Sequence, residues 1–133
     1  MPKGKVREPK RVVLEKPFGG IAAGCILFVA TPEIVADYVR AIPAGETRSV
    51  ERMRHELARR HRADASCPVS TAIFVRQVAE GALKAMAEGA ARDTVAPFWR
   101  LVAAGTPIAK RLPVDAAWLE AQLALDAATP APA

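Results

Sequence analysis

Metal-binding and disulfide chemistry are what this chain is shortest of. Its 133 residues include two cysteines, Cys25 and Cys67, and two histidines, His55 and His61. They are scattered, with no carboxylate or cysteine at ligand spacing from either histidine, so neither a disulfide framework nor a metal site is expected. There is also no Ser/His/Asp arrangement and no phosphate-binding glycine loop, so no cofactor is expected. Long apolar runs are missing too. The longest, GGIAAGCILFVA over residues 19–30, is interrupted by glycine and too short to cross a bilayer. The polar, basic start before it is longer than a signal-peptide n-region, and no convincing cleavage site comes after it. These absences point to a cytoplasmic protein without membrane partners.

What the chain does have is positive charge, +5 at neutral pH. An acidic partner fits that balance, and nucleic acid is the usual one. The charge is concentrated. Arg48, Arg52, Arg54, Arg59, Arg60 and Arg62 face only Glu51 and Glu56. Such a cluster is either a solvated helix face or a surface for phosphates.

The length suits one domain with one modest core. Residues 1–30 read as a basic, partly disordered arm and then an apolar lead-in, in which CILFVA could form a strand. Residues 31–127 read as the domain and residues 128–133 as a disordered tail. Within the domain, Thr31 and Pro32 open a helix with Ile34, Val35, Tyr38 and Ile42 on one face. Ser49 caps a second helix that buries Val50, Met53 and Leu57. A longer helix runs over about residues 69–88, burying Phe74, Val78, Ala82 and Met86. PFWRLVAAGTPIAKRL (residues 97–112) reads as a short hairpin or wing turning near Gly105. A last helix over about residues 114–127 buries Trp118, Leu119 and Leu123. The expected fold is mainly α with a small β-hairpin, in the order of a winged helix-turn-helix.

Three segments sharpen this reading. IPAGETRSVERM, VRQVAEGAL and PFWRLVAAGTPIAKRL succeed one another at the order and approximate spacing of the DNA-binding domain of the O6-alkylguanine-DNA alkyltransferases. Residues 31–126 as a whole resemble that domain, and are most similar to its cysteine-less alkyltransferase-like branch. The family flips a base out of the duplex and accepts an alkyl group on a cysteine thiolate activated by a histidine. The resemblance places that pair on Phe98 and Trp99, which have no nucleophile and no base, so alkyl transfer there is excluded. It implies no catalytic residues, but a DNA-binding protein that recognises alkylated or otherwise modified guanine and works with repair proteins.

By the same resemblance Arg76 is the arginine that enters the duplex, and Phe98, Trp99, Val50 and Arg100 surround the base pocket. Read from the residues alone, Arg76 could instead form a surface ion pair with Glu80, and Phe98 and Trp99 could simply pack between wing and long helix. Val50 stands where the family has a tyrosine that helps rotate the nucleotide, and valine cannot bond a phosphate. Arg76, Gln77, Ser70 and Thr71 on the long helix, with Arg52, Arg59, Arg60 and Arg62, make up the expected DNA contacts. Two other readings stay open. Cys67, beside Pro68 at a helix start, is a relocated reactive thiol or a buried cap. The chain could instead be a protein–protein adaptor that kept the fold and lost DNA affinity, a reading its basic surface argues mildly against.

Overall fold

In a computed structural model, which describes residues 8–128, the elements run β1 (Lys10–Val13), β2 (Ile26–Val29), α1 (Pro32–Arg40), α2 (Val50–Arg60), β3 (Ala65–Ser66), α3 (Pro68–Ala87), α4 (Pro107–Lys110) and α5 (Ala116–Ala128). Single 3-10 turns stand at Arg92–Thr94 and Phe98–Arg100. The architecture is mainly helical with a small three-stranded sheet.

Local chemistry starts each helix. The Thr31 hydroxyl accepts the Ile34 N–H at 3.1 Å, and the Ser49 hydroxyl accepts the Arg52 N–H at 3.0 Å. Each satisfies a donor that a helix start leaves orphaned. Cys67 does this for α3, its Sγ accepting the Ser70 N–H at 3.4 Å. Pro32 and Pro68 occupy first-turn positions, where no backbone bond is lost. At the far end of α3, Gly89 turns left-handed at φ +106° and lets the Ala90 N–H return to the Ala85 carbonyl at 2.9 Å.

The sheet order is β1-β2-β3. β1 pairs antiparallel with β2, Lys10 opposite Val29 and Val13 opposite Ile26. β3 adds two residues parallel to β2. The strand in CILFVA is present, with Leu27 and Phe28 buried. The described part of the expected arm is different: residues 10–13 form a strand, held by β2 although all four are exposed. Residues 1–7 of the arm, and residues 129–133 of the tail, lie outside the described residues.

The larger departure concerns residues 97–112, where the expected hairpin is absent. The left-handed turn at Gly105 is there, with φ +84°, but no ladder flanks it. On one side the chain tightens into the Phe98–Arg100 turn, closed by Arg100 N–H to the Pro97 carbonyl at 3.0 Å. On the other, Thr106 caps α4 and Pro107 starts it. Neither proline can donate to a ladder, and the Thr106 cap commits residues 107–110 to a helix. Among the described residues no strand comes after β3, so the hairpin of this fold precedes the helices.

α1 lies along α3, and Val35, Tyr38, Val39, Phe74, Val75 and Ala79 are buried in one cluster with Phe98, Trp99 and Leu119. Arg100 ties distant segments around it. Its Nη1 donates to the Ile42 carbonyl and its own carbonyl accepts the Arg48 N–H, both at 2.8 Å.

Candidate nucleic-acid interface

Helical geometry sorts the arginines of α2. At 100° per residue Arg52, Glu56, Arg59 and Arg60 fall within one arc of about 100°, with Arg52 and Arg59 turned away from the buried Met53 and Leu57 and Arg60 bordering Met53. Arg54 falls elsewhere, in a recess with Asp64 and Ser66. Arg62 lies past the helix end in a left-handed conformation, φ +56°, its carbonyl accepting from Arg11 Nη2 at 3.2 Å. The predicted arginine surface therefore comes together as Arg52, Arg59 and Arg60, with Arg62 beyond.

This face is organised around Tyr38, which is buried under α2. Its hydroxyl donates to Glu56 Oε1 at 2.5 Å, and Arg52 Nε donates to Oε2 at 2.8 Å. The guanidinium carbons of Arg48 and Arg60 lie 5.5 and 5.4 Å from the Tyr38 ring centre, within cation–π range. The bond from Tyr38, then that from Arg52, lowers the Glu56 carboxyl to about 2 against the pull of burial. Burial, then the bond to Glu56, raises the Tyr38 phenol. Because the folded-state value of Glu56 is depressed, its contribution to stability is present above the ordinary carboxylate range and lost as pH falls towards 2. Tyr38→Phe is expected to cost about 1 kcal/mol and to move the Glu56 titration upwards, as carboxyl NMR shifts would record. An unmoved Glu56 would count against the bond.

On α3 the exposed line runs Val69, Ile73, Gln77, Glu80. Arg76 stands beside it, its Nε 3.6 Å from Glu80 Oε2, an ion pair too long for a hydrogen bond. Two predicted contacts sit differently. Thr71 is 2% exposed and faces the core, and the half-buried Ser70 turns its hydroxyl inwards, donating to Cys67 Sγ at 3.2 Å. A helix turns every third or fourth residue back to the core, and Thr71 shares the side of Phe74 and Val75. Cys67 itself is buried, in the capping role. His61, the residue after α2, stacks on Phe28 with ring centres 4.0 Å apart.

The four residues expected to surround a base pocket belong largely to the interior. Phe98 is 0% and Trp99 2% exposed. Phe98 stacks on Trp118 at 5.8 Å, and Trp99 meets both rings edge-on at 5.4 and 6.1 Å. Val50 is half-buried against the same core. The Arg92 guanidinium lies 4.6 Å from the Trp99 ring centre. A base would have to displace Trp118 to stack on Phe98.

Beneath the pair lies a constellation that sequence reasoning missed. Asp126, 1% exposed, accepts the Trp99 indole N–H at 2.9 Å on Oδ2, and both arginines reach it. Arg100 donates from Nε at 2.8 Å and Nη2 at 3.0 Å, and Arg92 from Nη2 at 2.8 Å. Arg92 also holds Gln122, through the side-chain oxygen at 2.5 Å and the carbonyl at 2.8 Å. Burial pushes the Asp126 carboxyl up, but Arg100, Arg92 and Trp99 together outweigh it and lower the group to about 2. A cleft of about 530 Å³ opens beside it, lined by Arg40, Arg92, Trp99 and Arg100 among others. One signal did exist: Leu119, Gln122 and Asp126 recur at the spacing of a single buried helix face.

Among the described residues no group of three His, Cys, Asp or Glu side chains could hold a metal ion. No described helix is long and apolar enough to cross a membrane. The chain matches no family model, no curated protein and no solved structure significantly.

Proposed function

We propose that the protein binds double-stranded DNA without enzymatic activity, through a winged-helix-like pair in which α3 enters the major groove and α2 crosses the phosphates. The observation that carries this reading is the arginine side of α2, succeeded by a helix that has no acidic residue before Glu80. Lys and Arg on the first helix position such a domain, while the second reads the bases. The sequence resemblance to the alkyltransferases supports the same assignment, and repair proteins are the partners it suggests.

The burial of Phe98 and Trp99 favours a form of this reading in which the aromatic pair fills the fold and no base enters it. Equal affinity for a duplex with and without O6-alkylguanine is then expected. A marked preference for the lesion would restore the base pocket.

Binding is expected to weaken steeply with salt. Each phosphate contact contributes about −0.9 to the slope of log K against log salt. Changing Arg59 and Arg60 together to alanine is therefore expected to flatten that slope by about 2. Titration of a fluorescent duplex at several salt concentrations measures it, and an unchanged slope would remove α2 from the interface.

A further inference from the structure

We propose that the β1–β2 hairpin is a second DNA-contacting element, whose tip lays Phe18 and Lys16 on the duplex beside the start of α3. The inference rests on the DNA-binding reading above and assigns a role to a segment that reading does not use.

The tip is built to hold its shape. Phe18 and Ile21 exchange both backbone hydrogen bonds at 2.9 Å around Gly19 and Gly20, whose φ values of +57° and +84° lie in the left-handed region that the tightest hairpin turns require. Below it, the Leu14 N–H donates to the Cys25 carbonyl at 3.0 Å and the Gly24 N–H to the Leu14 carbonyl at 2.7 Å. Phe18 is nonetheless 41% exposed. A rigid turn that presents a large aromatic to solvent gains nothing for the core from it.

The tip is also fastened to the reading helix. A Cβ on Gly19 would stand 2.8 Å from Pro68 Cγ, so the loop backbone rests directly on the first residue of α3. Gly19 adjoins Phe18 and Pro68 adjoins Val69, so an exposed apolar residue flanks the point of contact on each side. Ile73 continues the line one turn on, with Gln77 after it and Arg76 beside it. Val69 and Ile73 are 55% and 45% exposed.

Helix-turn-helix proteins direct the N-terminal residues of the second helix at base edges. Whatever is fastened to Pro68 is carried to the same duplex. Apolar side chains there suit thymine methyl groups, and an exposed aromatic at a tight tip suits a base step. Lys10, Arg11 and Lys16 on the hairpin stand against Glu8 and Glu15, a small positive excess that favours phosphates. With no strand after α3 among the described residues, this hairpin supplies what a wing supplies elsewhere, from the opposite end of the domain.

The test is duplex binding by the full chain and three single variants, with thermal melting to verify folding. Phe18→Ala is expected to lose about tenfold in affinity with the salt slope unchanged. Lys16→Ala is expected to reduce the slope by about 1. Gly19→Ala keeps Phe18 but forces the tip off Pro68, and is expected to weaken binding as Phe18→Ala does. If the parent binds and all three variants match it, the hairpin proposal is overturned and the DNA-binding reading survives. If the parent does not bind duplex at all, that reading fails and takes the hairpin with it.

Discussion

Replacing Asp126 with alanine is expected to lower stability by about 3–5 kcal/mol, a drop in Tm of roughly 15 °C. The reason is what the substitution leaves behind. Arg92 and Arg100 keep their charges beside a hydrophobic cluster, and the Trp99 indole N–H loses its acceptor inside it. Asp126→Asn separates charge from shape, since an amide still offers one oxygen to the indole. The carboxyl is lowered from 3.8 to about 2 in the folded protein, so its ionisation contributes stability above about pH 4 that is lost as pH falls towards 2. The shift corresponds to about 2 kcal/mol. Denaturant melts from about pH 6 to about pH 2 should show this loss in the parent and a correspondingly smaller one in Asp126→Asn. Glu56 titrates in the same window, so the difference between the two proteins is the quantity to read. Identical pH profiles would mean that Asp126 is not the ionised centre of the cluster.

Phe98→Ala is expected to cost a further large amount, about 3–5 kcal/mol, because it removes a completely buried ring and leaves Trp99 and Trp118 without their shared neighbour. The two accounts of the aromatic pair part company here. If Phe98 lined an open base pocket, its loss would reduce DNA affinity and leave the melting temperature nearly unchanged. The packing predicts the reverse: a large fall in Tm, with DNA affinity kept by whatever fraction remains folded. Melting and duplex titration on one sample distinguish them.

The helices were legible where a few adjacent residues decide the structure. Thr-Pro at 31–32 and Ser49 mark starts that need no tertiary help. The same Thr-Pro pair recurs at 106–107 and starts α4, but there the valine and leucine before Gly105 suggest a strand, and the cap goes unread. β1 shows the opposite difficulty. KRVV has no buried side and hence no alternation to read; it is a strand because β2 lies beside it. The candidate site divides the same way. Helical periodicity is enough to gather Arg52, Arg59 and Arg60. Whether Thr71 faces groove or core depends on where α1 lies, and the meeting of Asp126 with Arg92 and Arg100 joins residues far apart in sequence.

That meeting also imposes an order in time. Arg92, Trp99 and Arg100 leave the ribosome before the carboxylate they share, 34 residues separating Arg92 from Asp126. At about 5–20 residues per second, the gap is on the order of seconds. Until α5 has been made, two cations and an indole wait without the carboxylate that joins them, and the aromatic cluster has no Trp118 to close it. The nascent chain can assemble its sheet and the α1–α3 packing earlier, but the domain locks only when the last helix arrives.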